Sequence, residues 1–331
     1  MPLKVNETSA EVAEMAREWP MLQALMAGTS AMRAGGRKYL PKFPNEEQAA
    51  YDARLATATL FPAFRRTVAV MAGKPFSKPV TLSESTPAEI VEWAEDIDRE
   101  GVNLHSFASE MMVEALAYGI CGILVEAPKR DPARPVPTVA DQKAAGVRPY
   151  FVRIKHDQIL GWKISRGDGP PVLTQLRLKE TAEVSDGGEF GTTVVEQVRV
   201  LEPGKFTVYQ RVSAQGSSEM VWAPVDSGET GLPVIPFVPL YGFRTSLMVG
   251  APPLLDLAHL NVKHWQSQSD QDTILHAARV PLLVAVGFED KDEITVGASS
   301  AIKSSNPSAK VEWVEHTGSA IGSGSQSLAA L

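Results

Sequence analysis

Apolar residues recur at helical spacing through the first third of the chain and at alternate positions through the middle. Val12, Met15, Trp19, Leu22 and Met26 lie on one face of a helix predicted over 8–33, with Thr8 or Asn6 as cap and Pro20 dividing it. Tyr51, Leu55, Ala58 and Leu60 repeat the pattern over 45–73. There Asn45 is the cap, Glu46 and Glu47 sit in the first turn, Pro62 splits the run, and Gly73 with Pro75 stops it. Thr86-Pro87 opens a helix to about Asp98, and Asn103 caps another that reaches Tyr118. "ICGILVEAP" then reads as a buried strand.

Residues 129–149 hold four prolines and mixed charge, which marks a surface loop or linker. From Tyr150 the period changes to two. "YFVRIKH", "ILGWKIS", "VLTQLRLKE", "TVVEQVRVLE", "KFTVYQRV" and "EMVWAPV" are six candidate strands of an antiparallel meander, separated by turns such as "SDGGEFG" and "EPGK". "GLPVIPFVPLYGFR" closes it. A helix is predicted over 252–279, then a strand "VPLLVAVG", then a loop-rich stretch over 288–318 with strands near "EITV" and "KVEWVEH". "SQSLAAL" has the pattern of a helix's first turns. The fold class these elements predict is α+β.

One stretch breaks the pattern. In "WQSQSDQDT", residues 265–273, eight residues after Trp265 pass without an aliphatic or aromatic side chain. A helix polar all round for two turns has no apolar stripe to hold it in a monomer's core. Read from the residues alone, it is a solvent-exposed helix or two helices joined by a polar loop.

Composition narrows the function classes. An apolar fraction of 44% and a charged fraction of 21% over 331 residues are those of an ordinary globular protein. The net charge of −7 argues against tight nucleic-acid binding by the chain as a whole. A single cysteine, Cys121, excludes a disulfide framework within one chain. "MPLKVNETSAEVAEM" has no apolar core of a signal peptide, and no apolar run approaches a membrane span, so a cytoplasmic origin is expected and no membrane partner. "NET" at 6–8 matches a glycosylation acceptor but carries no weight without a secretory signal. No phosphate-binding glycine loop and no nucleophile elbow occur. His259 and His264 are five apart, on different helix faces, and Asp270 and Asp272 are two apart. The expectation is therefore no catalytic residues, no metal and no cofactor.

Several stretches taken in order resemble the portal (head-tail connector) proteins of tailed bacteriophages. They are "WPMLQALMAGTSAMRAGGRKYLPKFPNEEQAAYDARLATATLFPAFRRTVAVMAGKPF", "DREGVNLHSFASEMMVEALAYGICGILVEAP", "VVEQVRVLEPGKFTVYQR", "GLPVIPFVPLYG" and "PPLLDLAHLNVKHWQSQSDQDTILHAARVPLLVAVG". The resemblance implies a homo-oligomeric ring, usually of twelve subunits, at one capsid vertex of the virion. It implies a conduit for double-stranded DNA, and the acidic balance, with no Lys or Arg between Lys263 and Arg279, predicts that the DNA is held weakly. The implied partners are the terminase large subunit, a head-completion or adaptor protein, and the major capsid or scaffold protein.

Mapped on the chain, it implies a wing made of a helical part (1–128), a linker (129–149) and an antiparallel β part (150–250). A projecting stem helix (251–279), a small α/β clip (280–318) and the start of a second stem helix (319–331) follow. The family's return stem, tunnel loop and crown have no counterpart in these residues, so independent ring assembly by this stretch is not expected. On this reading the polar run faces a DNA-bearing channel, with Gln266, Gln268, Ser269, Asp270 and Asp272 as tunnel-facing candidates, and few contacts to residues 1–250 are expected beyond Trp265. Val284, Val286, Val311 and Trp313 are candidates for clip assembly by strand addition between neighbours, against the alternative of a hairpin packed on its own domain. Lys303 and Lys310 mark a candidate clip tip. Two rival classes remain: a cytoplasmic hydrolase or transferase with a site between the helical and β halves, and another structural or adaptor protein of the virion.

Overall fold

The computed structural model describes residues 3–128, 138, 141, 146–185, 187, 191–213, 220–278, 282–288, 306–314, 322 and 326. The described chain is α+β, with helices and antiparallel sheets. It divides into two compact units, each discontinuous in sequence: residues 1–26 with 63–258, and residues 27–62 with 259–331.

The first unit opens with α1 (Ala10–Met15) and most of α2 (Trp19–Ala27). Ser9 caps α1 by accepting from the Val12 N–H. The run divides as expected, between Met15 and Trp19, and Pro20 falls in the first turn of the second piece, where an N–H has no intrahelical acceptor. After α5 (Ala63–Gly73) and α6 (Ala88–Ala94) comes α7 (Leu104–Tyr118), capped by Asn103 Oδ1 accepting from Ser106 N at 2.9 Å. Helix α6 is shorter than the sequence suggests and buries none of its residues. Helix α5 packs on α7 through Phe64, Val68 and Ala72. One α7 face joins Phe107, Met111 and Ala115 to Cys121 and Ile97, with Phe151 and Leu240 at the margin. Burying a side chain such as Phe107 contributes roughly 2–3 kcal/mol.

Strand β1 (Ile120–Glu126) is the centre of a three-stranded antiparallel sheet, between β2 (Tyr150–Ile154) and β8 (Phe237–Tyr241). The meander contains five strands, not six: β3 (Ile159–Ser165), β4 (Val172–Ser185), β5 (Thr192–Glu202), β6 (Lys205–Ser213) and β7 (Met220–Glu229), paired in chain order. "YFVRI" leaves it to pair with β1, because a 3₁₀ turn at His156–Gln158 redirects the chain between the two sheets. The Lys155 N–H donates to Gln158 Oε1 at 2.8 Å there. Behind the meander, Arg177 Nη1 donates to the carbonyls of Lys4, Val5 and Glu7, which fixes the N-terminal segment.

The ribbon of β9 (Phe243–Ser246) and β10 (Val249–Ala251) leads to α8 (Leu255–Ala278). Two glycines permit the backbones to meet at this entry. Gly119 ends α7 at φ 91°, and a Cβ there would lie 2.6 Å from the Ala251 carbonyl carbon. A Cβ on Gly250 would lie 2.1 Å from Gly119 O.

The second unit contains α3 (Thr29–Ala34), α4 (Gln48–Thr57), α8 from His259 onward, and a ribbon of β11 (Leu282–Val286) and β12 (Lys310–Val314). Arg33 Nε donates to Ala58 O at 2.9 Å and Leu60 N donates to Thr29 Oγ1 at 3.2 Å, which ties the 58–62 turn to α3. Among the described residues no helix is long and apolar enough to cross a membrane.

Candidate functional site

Helix α8 runs unbroken for 24 residues, about 36 Å at 1.5 Å per residue, so the polar run does not interrupt it. The expectation of few contacts beyond Trp265 is overturned. Ser269 and Gln271 are buried, and Gln266 Nε2 donates to Tyr39 O at 3.0 Å. Asp270 Oδ1 stands 3.8 Å from Arg54 Nη1. Of the five tunnel-facing candidates, Asp272 is the exposed one; it accepts from Gln268 Nε2 at 2.8 Å, one turn back. Gln266, Gln268 and Asp270 are half-buried, and Ser269 is 2% exposed. The physical reason is that residues 39–54 offer the helix polar partners: the Tyr39 carbonyl and the buried Arg54 guanidinium match Gln and Asp where an apolar surface would match Leu.

Arg54 organises this layer. Its Nε and Nη2 donate to the two carboxylate oxygens of Glu46 at 2.7 and 2.8 Å, Nη2 also reaches Pro41 O at 2.8 Å, and the guanidinium lies 4.2 Å from the centre of the Phe43 ring. The Arg54 hydrogen bond holds the Glu46 carboxyl below its ordinary range, against the opposing effect of burial. Burial pushes Asp270 up; Arg54 opposes that shift and Glu46 adds to it. Among the described residues, the buried side-chain polar atoms without a hydrogen-bond partner are Arg54 Nη1, His264 Nδ1, Trp265 Nε1 and Ser269 Oγ. All four belong to α8 or to the residue that faces it.

The ribbon after α8 puts the clip candidates in register. Leu283 opposes Trp313 and Ala285 opposes Val311, an all-apolar face. Val284 opposes Glu312 and Val286 opposes Lys310 on the other. Val286 and Trp313 are 60% and 58% exposed, Val284 is exposed and Val311 half-buried. Lys310 begins β12; Lys303 and the strand expected at "EITV" lie outside the described residues, as does most of 319–331. A two-stranded ribbon is marginally stable by itself, and this one exposes more apolar surface than a solvated hairpin needs.

In the first unit, polar groups are matched in structural clusters. Buried His156 is 2.6 Å from Glu114 Oε1 through Nδ1 and 3.1 Å from Gln23 Nε2 through Nε2, and stacks on Tyr118 at 3.7 Å. Burial and Glu114 push the Tyr118 phenol up to about 12. Arg199 joins Glu126 of β1 to Glu180 of β4. A hollow of 330 Å³ opens beside Lys4, Glu7, Glu196, Arg211 and Trp222, with no histidine, cysteine or hydroxyl side chain in its lining. Among the described residues no cluster of three His, Cys, Asp or Glu is placed to hold a metal.

Sequence reading singled out neither Arg54 nor Glu114. Arg54 lies one turn from Tyr51 and eight residues from Glu46, a spacing that no helix brings together, and only the loop at 41–47 folds the carboxylate back.

The described architecture is that of an α+β body whose long polar helix leads to a small apolar ribbon. A protein family described as "Domain of unknown function (DUF4055)" matches residues 253–331, which take in that helix and ribbon. No curated protein matches the chain.

Proposed function

We propose that this chain is a portal protein of a tailed bacteriophage, a non-enzymatic ring subunit at one capsid vertex through which DNA enters and leaves. The observation that carries the reading is the sequence of elements from residue 255 onward. An unbroken helix without an apolar stripe leads to a two-stranded ribbon whose apolar side chains are under-covered. Such a helix suits a ring: residues 39–54 of the same chain hold one face, and the exposed face that carries Asp272 is left for neighbours and a water-filled channel. Such a ribbon suits strand addition between subunits. The chain's acidic balance suits a conduit past which DNA slides. Terminase, head-completion and capsid or scaffold proteins are the partners this role entails, and the virion is its location.

Antibody against the chain, applied to phage particles that carry the gene product, should mark one vertex per capsid. Labelling of every vertex, of the tail alone, or of none overturns the reading. Rings with an axial channel should appear in electron micrographs of the gene product. Val284→Asp with Val311→Asp should abolish them while circular dichroism stays unchanged. Rings that survive remove the ribbon from assembly.

A further inference from the structure

Two neighbouring elements of the first unit carry opposite charge and exposed apolar side chains. Residues 63–83 contain Arg65, Arg66, Lys74 and Lys78 and no acid, in a chain of net charge −7. Residues 84–100 contain seven acids and one base. With Phe64, Val68 and Ala72 turned inward, α5 presents Arg66 and Val70 on the opposite face, followed by Lys74. Val70 is 61% exposed and Met71 40%. Among the described residues the side chains of these four bases make no hydrogen bond or ion pair. Helix α6 buries nothing, and its Ile90 and Val91 are exposed beside Glu89 and Glu95.

We propose that α5 with its trailing Lys74 is a docking surface for α6 of a second copy of this chain. Each surface offers what the other lacks: two exposed aliphatic side chains bordered by charge of one sign. A contact between unlike surfaces is heterologous, so every copy that offers α6 to one neighbour receives α6 from another, and the chain of contacts closes into a ring or runs on. An eleven-residue helix is too small to hold a stable interface alone, for which about 800 Å² per partner is needed. The paired charges therefore select the neighbour and its orientation more than they bind it. The inference rests on the portal reading only in requiring that copies associate.

The test is a charge exchange in the gene product that forms the rings, followed by sedimentation velocity. Arg66→Glu with Lys74→Glu should weaken self-association roughly tenfold, and Glu89→Lys with Glu95→Lys should do the same. An equimolar mixture of the two variants should restore wild-type association, since each then meets a complementary face on the other. All four positions are exposed, so thermal melts should stay at the wild-type value. Wild-type association in both variants, or a mixture no better than its components, overturns the inference. Loss of binding to a DNA duplex in the α5 variant with self-association intact also overturns it, and makes nucleic acid the occupant. Rings unaffected by either exchange overturn this interface and leave the portal reading standing.

Discussion

Glu46→Gln keeps the shape of the carboxylate beside Arg54 and removes its charge. The Arg54 and Glu46 side chains are 4% and 8% exposed, and the pair is bidentate at 2.7 and 2.8 Å. Removing one member of a buried pair leaves the other charge without compensation, at a cost of roughly 3 kcal/mol. Asp270 recovers little of this, because it stands 3.8 Å away and burial disfavours its charged form. Hydrogen exchange followed by mass spectrometry reads the effect locally. Amides of α4 should open roughly a hundredfold more often in the variant, with those of α7 unchanged. Replacing both partners, Glu46→Leu with Arg54→Met, should cost less than Glu46→Gln, since neither member of the pair is left buried without the other and Asp270, half-buried, loses an unfavourable Glu46 along with a favourable Arg54.

The pH dependence has a definite sign. The native Glu46 carboxyl lies below its ordinary range, so its stabilisation is complete above the unfolded value of about 4.3 and is lost as the pH falls through that value toward the lower native one. Asp270, pushed up, acts in the opposite sense: its ionisation costs stability near neutrality, and that cost is relieved on acidification. The gap between wild type and Glu46→Gln should therefore be flat near neutrality and close in acid. Exchange in α4 within about threefold of wild type, or a gap that widens in acid, refutes the reasoning.

Three further outcomes are expected. Gly119→Ala meets both a left-handed backbone at φ 91° and the Ala251–Pro252 backbone at 2.6–2.7 Å. It should cost about 3 kcal/mol and lower the melting temperature by roughly 6–12 °C, and an unchanged melt would contradict the close approach. Cys121 is buried, and burial with the nearby Glu114 pushes its thiol up, so Ellman's reagent should find no thiol in the native protein and one after denaturation. Asp272→Lys is the clean probe of a DNA-facing stem, because Asp270→Lys would set an ammonium against Arg54. It should change stability by less than about 0.5 kcal/mol and raise the DNA affinity of assembled rings, with a steeper salt dependence. Unchanged affinity places Asp272 away from DNA.

Local rules decided much of the secondary structure. Asn103 caps its helix and "ILGWKIS" to "EMVWAPV" form a meander, because caps, turns and alternation act over a few residues and compete with little else. The continuity of α8 through eight polar residues is also local, since Gln, Ser and Asp in small number cost a helix only tenths of a kcal/mol each. The pairing of "YFVRI" with β1 was decided by the tertiary structure, because both sheets accept an alternating strand and the choice lies with the 3₁₀ turn held by Glu114, 42 residues earlier. What the polar run meets was decided there too. A hydrophobic pattern reports which faces avoid water but not which polar groups elsewhere in the chain will match a Gln or an Asp. Arg54 and the Tyr39 carbonyl, more than 200 residues away from α8, supply that match only once the chain has folded.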